Sequence, residues 1–186
     1  MNSAIDANGW ANGLTQIRSP NFDHRPDGCA IELAVVHGIS LPPGEFGGDA
    51  IERLFTNKSE DPQLAQLRVS AHFLIRRTGA TIQFVSCNDR AWHAGRSCWK
   101  GRHECNDFSI GIELEGDDHT PYEPIQYQAL ADLLGALVKR YSKLAFLTGH
   151  SDIAPDRKTD PGAAFDWQLL HSLIGENLAI DSITAP

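Results

Sequence analysis

The sequence predicts a mixed α/β domain built on a central sheet. Three observations carry this. An apolar run at 31–40 (IELAVVHGIS) is rich in β-branched residues, and a segment at 109–116 (SIGIELEG) alternates apolar and polar positions. The stretch 124–142 (PIQYQALADLLGALVKRYS) carries an apolar stripe at helical spacing between strand-like pieces. The chain has 186 residues, of which 41% are hydrophobic and 22% charged. These values fit one soluble globular domain and exclude disordered and fibrous classes.

Along the chain, 19–28 (SPNFDHRPDG) reads as a loop, because turn formers crowd it. The run 31–40 then reads as a buried strand. The segment 41–48 (LPPGEFGG) must be a loop, since two prolines and three glycines oppose regular structure. In 49–58, Ile51, Leu54 and Phe55 share one helical face and Asp49 is placed to cap it. A polar connection follows at 59–68. The stretch 71–86 reads as a hairpin turning at Thr78-Gly79. Residues 91–108 lack any period and read as an ordered loop. In 109–116, Ile110, Ile112 and Leu114 take one face of a strand, and Gly111, Glu113 and Glu115 the other.

The helix at 124–142 has Pro124 in its first turn and Lys139 and Arg140 in its last. A short strand at 146–150 runs into a loop at 151–162. A last helix spans 165–178, capped by Asp166, and the tail 179–186 is expected to fray. The predicted order is β α β β β α β α, one domain over 1–186 with an ordered core of about 10–178.

Sixteen Lys and Arg stand against 24 Asp and Glu, a net charge of −8, which disfavours binding to nucleic acid. No apolar run approaches the ~20 residues needed to span a bilayer, so no membrane association is expected. The N-terminal MNSAIDANGW has no basic region followed by an apolar core, which points to a cytoplasmic protein. Cys29, Cys87, Cys98 and Cys105 form no CxxC pair and are expected to be free thiols. No long apolar stripe is left over, so a monomer is expected.

The eight histidines are the unusual part of the composition. His37 and His150 each close a buried strand, and Asp160 follows in a loop. Two imidazoles and a carboxylate suit a catalytic Zn²⁺ with one position left for water. Spacing alone favours hydrogen-bonded structural histidines over a metal site. Lys158, beside Asp160, has the charge to stabilise an oxyanion or simply to face solvent. Glu113, if turned inward from its strand, has the character of a general base; its alternation allows solvent exposure equally. Trp92, His93 and Trp99 suit either ligand contact or packing in their irregular loop. His72 fits a core or supporting role, while His24, His103, His119 and His171 read as surface residues.

Five blocks carry more than spacing does: VVHGISLPPGEFGG, LRVSAHFLIRRTG, RAWHAG, CNDFSIGIELEG and TGHSDIAPDRKTDPG. In this order, from about Trp10 to Trp167, the chain resembles the type 2 N-acetylmuramoyl-L-alanine amidase family. The resemblance implies the mixed-sheet fold shared with T7 lysozyme and the peptidoglycan recognition proteins. It implies Zn²⁺ held by His37, His150 and Asp160, the last replacing the Cys of many relatives. It further implies Glu113 as general base, Lys158 as oxyanion support, and Arg68, Trp92 and His93 near the substrate groove. The implied substrate is a soluble anhydro-muropeptide, cut between the lactyl group of 1,6-anhydro-N-acetylmuramic acid and L-Ala. The implied setting is peptidoglycan recycling, with an influence on β-lactamase induction. Gly38 stands where the compared members carry Asn, Glu104 where they tend to carry Arg, and the segment 57–66 is shorter.

Overall fold

The computed structural model describes residues 4–175 and 178–182. Eleven strands and four α-helices are found among them. They are β1 (Thr15–Gln16), β2 (Phe22–His24), β3 (Leu33–Ile39), α1 (Ala50–Phe55), β4 (Phe73–Ile75), β5 (Thr81–Gln83), β6 (Asp89–Ala91), β7 (Cys98–Trp99), β8 (Arg102–His103), β9 (Ser109–Glu115), α2 (Pro124–Arg140), β10 (Phe146–Gly149), α3 (His150–Ile153), α4 (Trp167–Ile174) and β11 (Ala179–Ile180). Seven strands form one sheet in the order β1-β5-β4-β9-β3-β10-β11. Only the β4–β5 hairpin is antiparallel within it.

The predicted β α β β β α β α order survives as β3, α1, β4, β5, β9, α2, β10 and α4. The differences lie in short pieces. The expected loop at 19–28 contains β2, which pairs with β6. The expected loop at 91–108 contains a small hairpin, β7–β8, turning at Lys100-Gly101. Ala179 and Ile180, expected to fray, pair with Phe146 and Leu147 of β10 as the sheet's edge strand. The last helix ends at Ile174 rather than 178; positions 176 and 177 lie outside the described residues.

Local chemistry explains the helix starts. Glu123 precedes α2, its backbone N–H donates to Gln126 Oε1 at 3.0 Å, and Pro124 takes the first turn. The Gln126 amide also donates to the carbonyls of Ile75 and Glu115, which fixes the helix start against β4 and β9. Asp166 accepts from Leu169 N at 2.8 Å and caps α4 as expected. Asp49 makes no such cap; its carboxylate pairs with Arg53 one turn on.

The sheet has two unlike faces. Ala34, Val36, Ile110, Ile112 and Leu114 pack under Leu130, Leu134 and Leu137 of α2 and Trp167 and Leu170 of α4. On the other face, Leu33 and Val35 meet Ala94, Trp99, Phe108 and Ile153. Further along that side, Leu74 and Phe84 meet Ile51, Leu54 and Phe55 of α1. Trp99 stacks on Phe108 and Phe146, and its Nε1 donates to Asp181, so it anchors the fold. All four cysteines are free thiols, as expected.

Candidate metal centre and active site

The site forms at the C-terminal ends of β3, β9 and β10, where open parallel sheets commonly place ligands. His37 is the fifth residue of β3, on the face away from α2. Glu113 is its register partner on β9. His150 follows directly on β10, at the start of α3. Asp160 comes in after the loop that leaves α3, and its carbonyl accepts from Ser151 N.

Three of these groups converge. His37 Nδ1 lies 2.9 Å from His150 Nδ1. Asp160 Oδ2 lies 3.3 Å from the first and 3.1 Å from the second. Both histidines are buried. Burial, with His150 beside it, pushes the His37 imidazole down to about 4, so near neutral pH it offers a lone pair rather than a charge. Two imidazole nitrogens and a carboxylate oxygen, all within 4.8 Å of one another, match the protein donor set of a catalytic Zn²⁺.

Glu113 stands at the edge of this cluster, with Oε1 4.0 Å from His37 Nδ1. Its Oε2 is buried with no hydrogen-bond partner. Burial, then the Asp160 charge, push its carboxyl up to about 8, while Lys158 opposes them. The solvent-facing alternative for Glu113 is thereby overturned: β9 is covered on both faces. A cleft of about 570 Å³ opens beside Asp160, lined among others by Gly38, Ser40, Asp118, Arg157 and Lys158. Lys158 is half-buried there.

The expected groove residues divide differently. His93 is buried behind His37, with its Nδ1 2.9 Å from His37 Nε2, so it supports a histidine rather than lining the cleft. Trp92 is half-buried with an unpartnered Nε1, and Arg68 is exposed with its guanidinium on the Ala65 carbonyl. Neither lines this cleft. His72 proves structural: its Nδ1 accepts from Gly111 N on β9. His24, His103, His119 and His171 are exposed, as expected.

The two departures have local accounts. A Cβ at position 38 would collide with the Tyr122 hydroxyl, which donates to the Pro161 carbonyl at 2.9 Å, next to Asp160. Gly38 therefore makes room for a clamp on the loop that carries Asp160. Glu104 is exposed and its carboxylate faces Arg90 at 3.4 Å, away from the cleft lining. Ser109, Asn106 and Tyr122 were not singled out from sequence. The available signal was Gly111, since a glycine inside a strand often marks a close approach.

The chain belongs to the N-acetylmuramoyl-L-alanine amidase family (Amidase_2), whose profile matches residues 27–163, and it is an enzyme of that class. Within the family it is 54% identical over 176 residues to the 1,6-anhydro-N-acetylmuramyl-L-alanine amidase AmpD of Escherichia coli, covering 90% of this chain and 96% of that one. A crystal structure of a selenomethionine AmpD derivative superposes with a TM-score of 0.88 at 51% identity, covering 90% of this chain and 98% of the other. A complex of the amidase AmiD from E. coli with the substrate anhydro-N-acetylmuramic acid-L-Ala-D-γ-Glu-L-Lys is similar at 31% identity, with a TM-score of 0.56 over 81% of this chain and 60% of that one. Drosophila peptidoglycan recognition protein SA, 18% identical with a TM-score of 0.63 over 93% and 96% of the two chains, shares the fold.

Proposed function

We propose that the chain uses Zn²⁺ to hydrolyse the amide between the lactyl group of 1,6-anhydro-N-acetylmuramic acid and L-Ala of the stem peptide. The observation that carries this is the orphaned, buried Glu113 carboxylate at the edge of the His37, His150 and Asp160 cluster. Those three residues would hold the metal. Bound there, Zn²⁺ would supply Lewis-acid chemistry that acidifies a water and polarises a carbonyl.

The chain's own residues do the rest. Glu113 Oε2 takes a proton from the attacking water and returns it to the L-Ala amine as that group leaves. Its raised pKa suits both directions of transfer near neutral pH. Lys158, on the cleft wall, presents its ammonium to the oxygen that gains charge. Lys158 and Arg157 are the cleft's lysine and arginine, set among Asp117, Asp118 and Asp160, and they are the groups that suit the carboxylates of a stem peptide. Similarity to AmpD supports the anhydro-sugar and a role in peptidoglycan recycling. A cytoplasmic setting, a monomeric state and an influence on β-lactamase induction belong to the same proposal. No helix among the described residues is long and apolar enough to cross a membrane.

A mass-spectrometric assay on soluble anhydro-muropeptide tests the reading. Turnover is expected to vanish with chelator and return with Zn²⁺. Undiminished turnover by metal-free protein would refute the metal role. Preference for intact sacculi over the soluble fragment would refute the substrate.

A further inference from the structure

The segment Trp92-His93-Ala94-Gly95 and the following Cys105-Asn106-Asp107 turn have no part in the proposed chemistry, yet they touch both histidines. His93 Nδ1 meets His37 Nε2 at 2.9 Å. The Ala94 carbonyl meets His150 Nε2 at 3.2 Å. Asn106 Oδ1 accepts from the N–H groups of both His93 and Ala94, at 3.1 and 2.8 Å.

Donor and acceptor logic then fixes the protons. The Ser109 hydroxyl donates to the Cys105 carbonyl at 2.6 Å. Its single proton is spent, so at 3.1 Å it accepts from His93 Nε2. His93 Nδ1 is left as an acceptor, and His37 Nε2–H donates to it. His37 Nδ1 is thereby turned toward His150 Nδ1 and Asp160 Oδ2, a trio of acceptors that a metal ion, or in its absence a proton, must bridge. A carbonyl only accepts, so His150 also carries its proton on Nε2 and turns Nδ1 inward. Gly111 makes the arrangement possible: a Cβ there would collide with the His93 ring.

We infer that His93 and the Ala94 carbonyl, clamped by Asn106 and Ser109, are positioning groups that select Nδ1 of both His37 and His150 as the metal-facing nitrogen. This rests on the metal reading above. Metal-bound histidines in general donate their second N–H, and loss of such a partner costs ~10–100-fold in metal affinity.

The test is twofold. In Zn²⁺-loaded wild type, long-range ¹⁵N–¹H spectra should show His37 and His150 protonated on Nε2. His93→Phe, which removes the acceptor at similar volume, should weaken Zn²⁺ binding about 10–100-fold in a chelator competition. His93→Gln, whose carbonyl can still accept, should restore most of it. Ser109→Ala frees His93 to swap tautomer, and should give mixed His37 signals even if His93→Phe fails to fold. Wild-type spectra with His37 protonated on Nδ1 overturn the inference. So do unmixed His37 signals in Ser109→Ala, or a folded His93→Phe that binds Zn²⁺ as wild type does. A folded wild-type chain that takes up no Zn²⁺ overturns the metal reading instead.

Discussion

The two faces of the central sheet use the same strands for different ends. On the helix-covered face, Ala34, Val36, Ile110, Ile112 and Leu114 are fully buried among aliphatic and aromatic side chains. On the other face, the alternate residues of those strands include His37, Ser109, Gly111 and Glu113. Strand alternation thus separates packing from chemistry at a spacing of one residue. Substitutions on the first face should change stability and spare turnover per folded molecule; those at His37 and Glu113 on the second should do the reverse.

Glu113→Gln should lower kcat about 10²–10⁴-fold while the fold persists. Wild-type kcat in this variant would remove Glu113 from the mechanism. It also sharpens the comparison through pH. The folded Glu113 pKa of about 8 lies above the ordinary 4.5, because burial, then Asp160, disfavour its charge. The folded state therefore holds this proton more tightly, and stability falls as pH rises from about 4.5 to about 8. Urea titrations of metal-free protein should show the variant gaining on wild type across that window; a constant difference would count against a buried charge.

Leu134→Ala, fully buried in α2, should cost about 2–5 kcal/mol with kcat/KM per folded molecule unchanged. A comparable loss of kcat/KM would show that the two faces are coupled. Glu115 is a bridge between the two regimes. Burial pushes its carboxyl up, but the N–H groups of Gly47 and Arg77 and the Arg76 guanidinium outweigh this and hold it below the ordinary range. Its contribution is present above about 4.5 and lost as pH falls through the lowered value. Glu115→Gln should cost about 1–3 kcal/mol at pH 7 by leaving Arg76 underpaired. The deficit should shrink on acidification, and one that grew would reverse the assignment. The smallest effect is Asp166→Ala, about 1 kcal/mol from the lost α4 cap, read as a modest Tm shift with activity intact.

How much of this was legible in the sequence follows from length and period. β3, β9 and α2 are long enough to show a period, and they were read correctly. β2, β6, β7 and α3 run two to four residues, too short for one, and tertiary pairing alone creates them. The Thr78-Gly79 turn marked its hairpin, whereas Lys100-Gly101 was passed over in a stretch without period. His37, His150, Asp160 and Glu113 were placed together through strand ends and block order. The direction of the His93 side chain, buried against His37, is not legible because an irregular loop has no period to orient it. Ser109 and Asn106 look like any polar loop residue until the donors around them are counted.

His37 and Glu113 sit on facing rungs of one backbone ladder, while Asp160 hangs ten residues beyond His150 in a loop. Heat has two separate ways to silence such a centre. The ladder lasts as long as the sheet does, whereas the loop is tied by separate hydrogen bonds, among them Tyr122 to Pro161, Ser151 to Asp160 and Arg157 to the Ala94 and Arg96 carbonyls. If Asp160 holds the proposed metal, inactivation on warming should begin with the release of that carboxylate while the sheet stays folded, and activity should return on cooling.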